Sequence, residues 1–252
     1  MRISRSARSN IPSTYGGIAP RSPKTEAMDT DSLRHPLTRT LLVLTMTTGV
    51  IDAACYLGLG RVFAANMTGN VVLLGFGIAG SSGLPVVAPL VSLGAFLLGA
   101  VVGGRMGAML PPKETHLSRA MLIEVGLIAL ATLIAIVFDI TPDHFSGDLI
   151  IGLLAFAMGT RNATVRRLKV ADLSTTVLTL TLTGLAADSQ LAGGEGAGSW
   201  RRGGAVAAML VGAVAGALLV KADLVWVLLA AGLLTLATWL VFMPAAITSA
   251  DR

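Results

Sequence analysis

The residue that first asks for a chemical explanation is Asp52, which falls near the middle of the apolar run Thr40 to Gly60 (TLLVLTMTTGVIDAACYLGLG). A carboxylate at the centre of a bilayer costs roughly 2.5–3.5 kcal/mol on insertion scales unless it is neutralised or paired. Two roles fit such a group. It can be a proton or cation site, or a protonated or hydrogen-bonded acid that holds helices together. Two further charges lie in apolar surroundings, Glu124 and Arg161. Glu124 is seven residues into the run Leu117 to Phe138, which predicts a structural role at headgroup level. Arg161 can pair with Asp52 or Glu124, or extend from a helix end to the interface.

A second set is made of short polar side chains at the heads of apolar stretches: Asn66, Thr68 and Asn70, and then Asp172, Ser174, Thr175 and Thr176. These are cap-type residues, which satisfy the free N–H groups of a helix start. In hydrocarbon those groups would otherwise be costly. The two starts can therefore simply be capped ends. Facing each other, they would instead make a hydrogen-bonding constriction with positive helix dipoles, suited to a polar or anionic solute.

The elements that carry these residues follow from composition. Of 252 residues, 54% are hydrophobic and 13% charged, against about 25% charge in a typical soluble domain, so the chain reads as an all-α polytopic membrane protein. Its formal charge of +5 is concentrated in residues 1–40, which hold seven basic residues against three acids, so no basic face is left for a nucleic-acid partner. Residues 1–37 are rich in Arg, Ser, Pro and Thr and are expected to form a disordered, basic, cytoplasmic tail, with a short C-terminal tail at 244–252.

Between the tails, residues 38–243 form the expected transmembrane domain. Thr40 to Gly60, Leu84 to Met106, Leu117 to Phe138, Leu149 to Val165, Ala205 to Val220 and Leu224 to Met243 are candidate spans. Asn66 to Gly80 and Asp172 to Ala187 are shorter and polar-headed. Asn66 to Val72 overlays Asp172 to Leu178 at an offset of 106, and Gly99-Ala-Val-Val-Gly103 overlays Gly212-Ala-Val-Ala-Gly216 at 113. This suggests two repeats, at about 40–138 and 149–243. If all eight segments cross, ten basic residues fall inside and eight outside; if the two short ones re-enter, sixteen fall inside and two, Arg61 and Lys221, outside. The expected architecture is therefore six spanning helices plus two re-entrant or broken short helices in an inverted repeat, with both termini cytoplasmic. A plain bundle with two short tilted helices is the alternative.

The run Gly49-Val-Ile-Asp52-Ala-Ala-Cys-Tyr56-Leu-Gly-Leu-Gly60-Arg-Val-Phe63-Ala-Ala-Asn66-Met-Thr68-Gly69-Asn70 resembles the signature of the YoaK-like family of bacterial integral membrane proteins, a domain of unknown function. Phe156-Ala-Met-Gly159-Thr-Arg161-Asn162-Ala163-Thr164-Val-Arg166-Arg167, followed by Ser174-Thr175-Thr176, is similar to its second signature. The resemblance covers about residues 38–243. It departs at Arg161, where the family commonly has Gln, and at Thr179-Leu180, where it has Thr-Gly. It implies a multi-pass protein of the bacterial inner membrane and names no substrate. Tyr56 and Asn162, which lie in the two motifs, join Asp52 and the polar heads as candidate solute-binding residues.

Other features carry less. Gly99 with Gly103 and Gly212 with Gly216 are helix-packing steps. His35, His116 and His144 lie in the tail or in expected loops without ligand spacing, so neither a metal nor another cofactor is expected. Cys55 reads as a small core residue. No nucleophile elbow, phosphate loop or HExxH motif occurs, so no enzyme is expected. The function these residues point to is a small-solute transporter or channel with a polar site at the midplane. A membrane scaffold or regulatory protein without transport is the alternative; the bilayer, an unknown solute and copies of the chain itself are the expected partners.

Overall fold

The structure is a computed structural model and describes residues 36–81, 83–109, 113–138, 140, 145–168, 178–194 and 198–250. The described residues are mainly helical and contain no strand. In chain order the helices are α1 (Pro36–Ala53), continued without a break by a π-helical stretch (Ala54–Gly60), α2 (Met67–Ile78), α3 (Val87–Met109), α4 (Lys113–Val137), α5 (Phe145–Leu168), α6 (Leu178–Ala187), α7 (Ser199–Val220) and α8 (Leu224–Ala250). Among the described residues, five stretches are long and apolar enough to cross a bilayer: Pro36–Gly60, Val87–Met109, Thr115–Val137, Ser199–Val220 and Leu224–Phe242. The protein is thus a multi-pass helical membrane protein. α5 has the length of a span, with 24 residues, but carries Asp148, Arg161, Arg166 and Arg167 and packs against both α3 and α4. It is the inner helix of the bundle, so its exposure to lipid is small and its composition is freer.

The helices hold together by close approach of small residues. A Cβ on Gly99 or Gly103 of α3 would strike the Phe156 or Thr160 carbonyl of α5, and one on Gly159 of α5 would strike the Phe96 carbonyl of α3. The same crossing recurs between α1 and α7. Gly212 and Gly216 meet the Met46 and Val50 carbonyls, and Gly49 meets the Met209 carbonyl. Each helix in these contacts finds its counterpart at a fixed offset, 110 from α1 to α5 and 113 from α3 to α7. Without a hydrophobic drive inside lipid, such glycine contacts supply packing energy that larger side chains would block. Residue numbers rise together along each pair, so both crossings are parallel. α4 and α8 pair in antiparallel fashion, with Ser118 bonded to Trp239 and Gly232 against Ile128.

Threonine is compatible with these interiors because its hydroxyl donates to the carbonyl four residues earlier. Thr45, Thr48, Thr132, Thr160, Thr164 and Thr235 all do so, at 2.8–3.0 Å. The core is split into two apolar clusters. One contains Val50, Ile51, Leu59, Ile128, Ile150, Leu154, Met158 and Leu228; the other contains Leu37, Leu41, Leu44, Leu117, Met121 and Val165. Between them lies a layer of buried polar residues, Thr45, Thr48, Glu124, Thr160, Arg161, Thr164 and Thr235.

Several boundaries differ from expectation. α4 begins at Lys113 and not at Leu117, which moves Glu124 to mid-helix; α8 continues through Pro244 to Ala250, where a tail was expected from residue 244. The tail up to residue 35 and the polar head Asp172, Ser174, Thr175 and Thr176 lie outside the described residues.

Candidate functional site

The π-helical end of α1 stops at Arg61, whose φ of 50° turns the chain back. The reversal is deep. Ala64 and Ala65 both donate their N–H groups to Asp52 Oδ1 at 2.9 Å, although Asp52 precedes Gly60 by eight residues, about 12 Å of helix rise. The loop has therefore descended to the level of Asp52 before α2 begins. α2 then returns to the end it started from. A Cβ on Gly60 would touch Ala88 at the head of α3, and one on Gly77 would touch Pro85 and Val86. Among the described residues, the segment from Arg61 to Val86 enters and leaves at one end of the bundle.

Irregular backbone within a membrane must find partners inside the protein. Asp52, 5% exposed, satisfies two such groups. Asn70, fully buried, satisfies two more: its Oδ1 accepts from Phe63 N at 2.8 Å and its Nδ2 donates to Phe63 O at 2.7 Å. Ser92 of α3 donates to the same carbonyl at 2.7 Å and accepts from Asn70 Nδ2 at 3.0 Å. Asn66 caps α2 by accepting from Gly69 N at 3.2 Å. Asn66 and Thr68 are exposed at this deep end of α2. Tyr56 stacks on Phe63, with ring centroids 4.9 Å apart, and lines a cleft of about 480 Å³ together with Leu59, Arg61, Gly83 and Pro85. Arg61 Nη1 reaches Gly83 O at 3.4 Å across its mouth.

One helical turn from Asp52, Thr48 accepts a hydrogen bond from Arg161 Nη2. Arg161 Nη1 donates to Glu124 Oε1 at 2.8 Å, and both side chains are fully buried. Thr235 Oγ1 donates to the same carboxylate oxygen at 3.4 Å, and Arg161 Nη2 lies 3.0 Å from Met158 Sδ. The headgroup-level role expected for Glu124 is thus corrected: it sits inside the bundle as the partner of Arg161, because α4 starts earlier than its apolar run. Arg161 does not extend to the interface. His116, expected in a loop, lies in α4 at 2% exposure with Nε2 3.2 Å from Thr164 Oγ1.

Of the sequence-derived candidates, the structure brings Asp52, Asn66, Asn70 and Tyr56 together around one reversal, with Thr68 on the first turn of α2 beside it. Asn162, half-buried on α5, occupies the position that the 110-residue offset matches to Asp52. α2 packs mainly on α3, and the described part of α6 on α7. Sequence reasoning missed Ser92, Thr48 and Thr235, each a single hydroxyl in an apolar run. For Thr48 a signal existed, since it precedes Asp52 by one turn on the same face.

UPF0700 transmembrane protein YoaK of Bacillus subtilis (strain 168) is 33% identical over 152 residues, which are 59% of this chain and 65% of that protein. The match thus spans less than two thirds of that relative's length. No solved structure matches. The family model described as a protein of unknown function, DUF1275, matches residues 40–241, and the chain belongs to that family.

Proposed function

We propose that this protein is a small-solute transporter or channel of the bacterial inner membrane, not an enzyme, with its site at the reversal between α1 and α2. The observation that carries the reading is the deep loop held by Asp52 and Asn70. Re-entrant backbone whose polar groups are met by side chains at membrane depth is the construction by which transporters build solute sites. The cleft lined by Tyr56 and Arg61 is the entrance, and the exposed Asn66 and Thr68 supply hydrogen-bonding groups beyond it.

In this reading α1, α3 and α4 form one half and α5, α7 and α8 the other, each with three crossings, so the second half is inverted. The twice-repeated glycine crossing, at constant offsets, supports that relation. Counting α5 gives six spans. The end that holds Met109, Lys113, Leu168 and Ser199 carries Arg105, Arg119, Arg166, Arg167, Arg201 and Arg202, and the positive-inside bias makes it cytoplasmic. The test is uptake of a panel of labelled small solutes into vesicles containing the purified protein. Uptake that Asp52→Asn abolishes at equal protein content supports the reading; a panel with no uptake above empty vesicles argues for the scaffold alternative.

A further inference from the structure

The polar layer between the two apolar clusters contains an excess of acid. Arg161 is the single cation among the fully buried side chains described, and two carboxylates lie around it. Glu124 touches it directly, and Asp52 sits one turn from Thr48, which Arg161 also touches. With both acids ionised, the three side chains would leave one uncompensated negative charge inside the membrane, which is strongly unfavourable. One bound proton removes it. Two atoms of the group, Glu124 Oε2 and Arg161 Nε, are buried without a hydrogen-bond partner, so the present pairing leaves capacity for a different one.

Among the described residues, no other charge lies at this level. α8 carries no charged residue between 224 and 250, and Arg201 of α7 lies three residues before Gly204, which meets Leu42, at the basic end. Arg105 of α3 is exposed near that end. His116 is two turns from Glu124 on α4 and is engaged with Thr164, while Cys55 lies next to Asp52 on the π-helical stretch of α1. Tyr56 points to the cleft.

We propose that Asp52, Arg161 and Glu124 form a charge switch that carries one exchangeable proton, Arg161 pairing with whichever carboxylate is deprotonated. In the arrangement described, Glu124 is the anion paired with Arg161 and Asp52 holds the proton. Loss of that proton to water in the cleft leaves Asp52 anionic. Arg161 then turns toward it, and Glu124 takes up one proton from the basic end, through the layer that holds Thr164 and His116. One proton leaves and one enters, so the group stays neutral at each end of the cycle. The switch deepens the transport reading by naming the proton as the coupling ion, but it can be tested without a solute.

The test is infrared difference spectroscopy of the purified full chain in lipid nanodiscs during pH titration, following the carboxylic-acid carbonyl band. Apart from the bands of the exposed acids, the wild type should show one titrating band in the high-frequency region of buried, protonated carboxyls. Asp52→Asn and Glu124→Gln should each abolish it, since either leaves one acid matched to one cation. Glu124→Asp, which keeps the charge, should retain a shifted band and covers the case in which Glu124→Gln fails to fold. A static Arg161–Glu124 pair with an independent Asp52 predicts otherwise: Glu124→Gln would leave the Asp52 band unchanged, which would overturn the switch. Absence of the high-frequency titrating band in the wild type would overturn it as well. Solute uptake without a shared proton defeats only the switch; a shared proton without uptake of any solute defeats only the transport reading.

Discussion

Asp52 and Ala65 are thirteen residues apart and lie on opposite sides of a chain reversal, yet the backbone N–H of Ala65 donates to the Asp52 carboxylate at 2.9 Å. With the neighbouring bond from Ala64 to the same oxygen, it fixes how far the loop descends along α1. The acid that sequence alone marks as expensive is thereby given a structural partner as well as a place in the proposed site.

Removing that acceptor should loosen the loop. Asp52→Ala leaves two buried donors unmet, at about 1–3 kcal/mol per group. Asp52→Asn retains an acceptor and should be milder. Thermal unfolding of the purified variants in nanodiscs checks the order: wild type, then Asn, then Ala, in falling midpoint.

Asn70 should matter more than Ser92, although both contact Phe63. Asn70 serves the N–H and the carbonyl of that residue, while Ser92 supports only the carbonyl. In hydrogen exchange, Asn70→Ala should raise exchange across Val62 to Asn66, and Ser92→Ala should have a smaller effect at the same peptides.

The repeated glycine crossing predicts paired effects. Gly99→Ala and Gly212→Ala each force a Cβ into a facing carbonyl and should cost about 1–3 kcal/mol. The sites contact different helices, so their effects should add. Gly104→Ala, with open space around the added carbon, should be neutral or slightly stabilising. Unfolding of the three single variants and the double variant decides this.

Breaking the buried ion pair from one side should be worse than removing it. Arg161→Met alone strands the buried Glu124 carboxylate, at about 3–5 kcal/mol, whereas Glu124→Leu leaves Arg161 with Asp52 and should cost less. The double variant should recover most of that loss. A double-mutant cycle on unfolding midpoints measures the coupling.

Much of this was legible in the sequence because membrane helices announce themselves by length and hydropathy. The runs from Thr40, Leu149, Ala205 and Leu224 lie within observed helices, that from Leu84 begins three residues before α3, that from Leu117 ends one residue past α4, and α2 begins at the predicted polar residues. The placement of Glu124 and His116 was not legible. Both lie in α4, whose first residues, Lys113 to His116, are polar and read as loop, although the helix includes them and packs His116 against α5. Nor could spacing choose between Asp52 and Glu124 as the partner of Arg161, because that choice depends on how α4 and α5 meet, which is a tertiary contact.

The re-entrant path between α1 and α3 is the central claim, and labelling of single cysteines with a membrane-impermeant maleimide tests it most directly. In a Cys55→Ala background, Arg61→Cys and Ser81→Cys should both react from one side of sealed vesicles, and Arg105→Cys and Arg166→Cys from the other. Reaction of positions 61 and 81 from opposite sides would mean that the intervening segment spans the membrane, and would contradict the account.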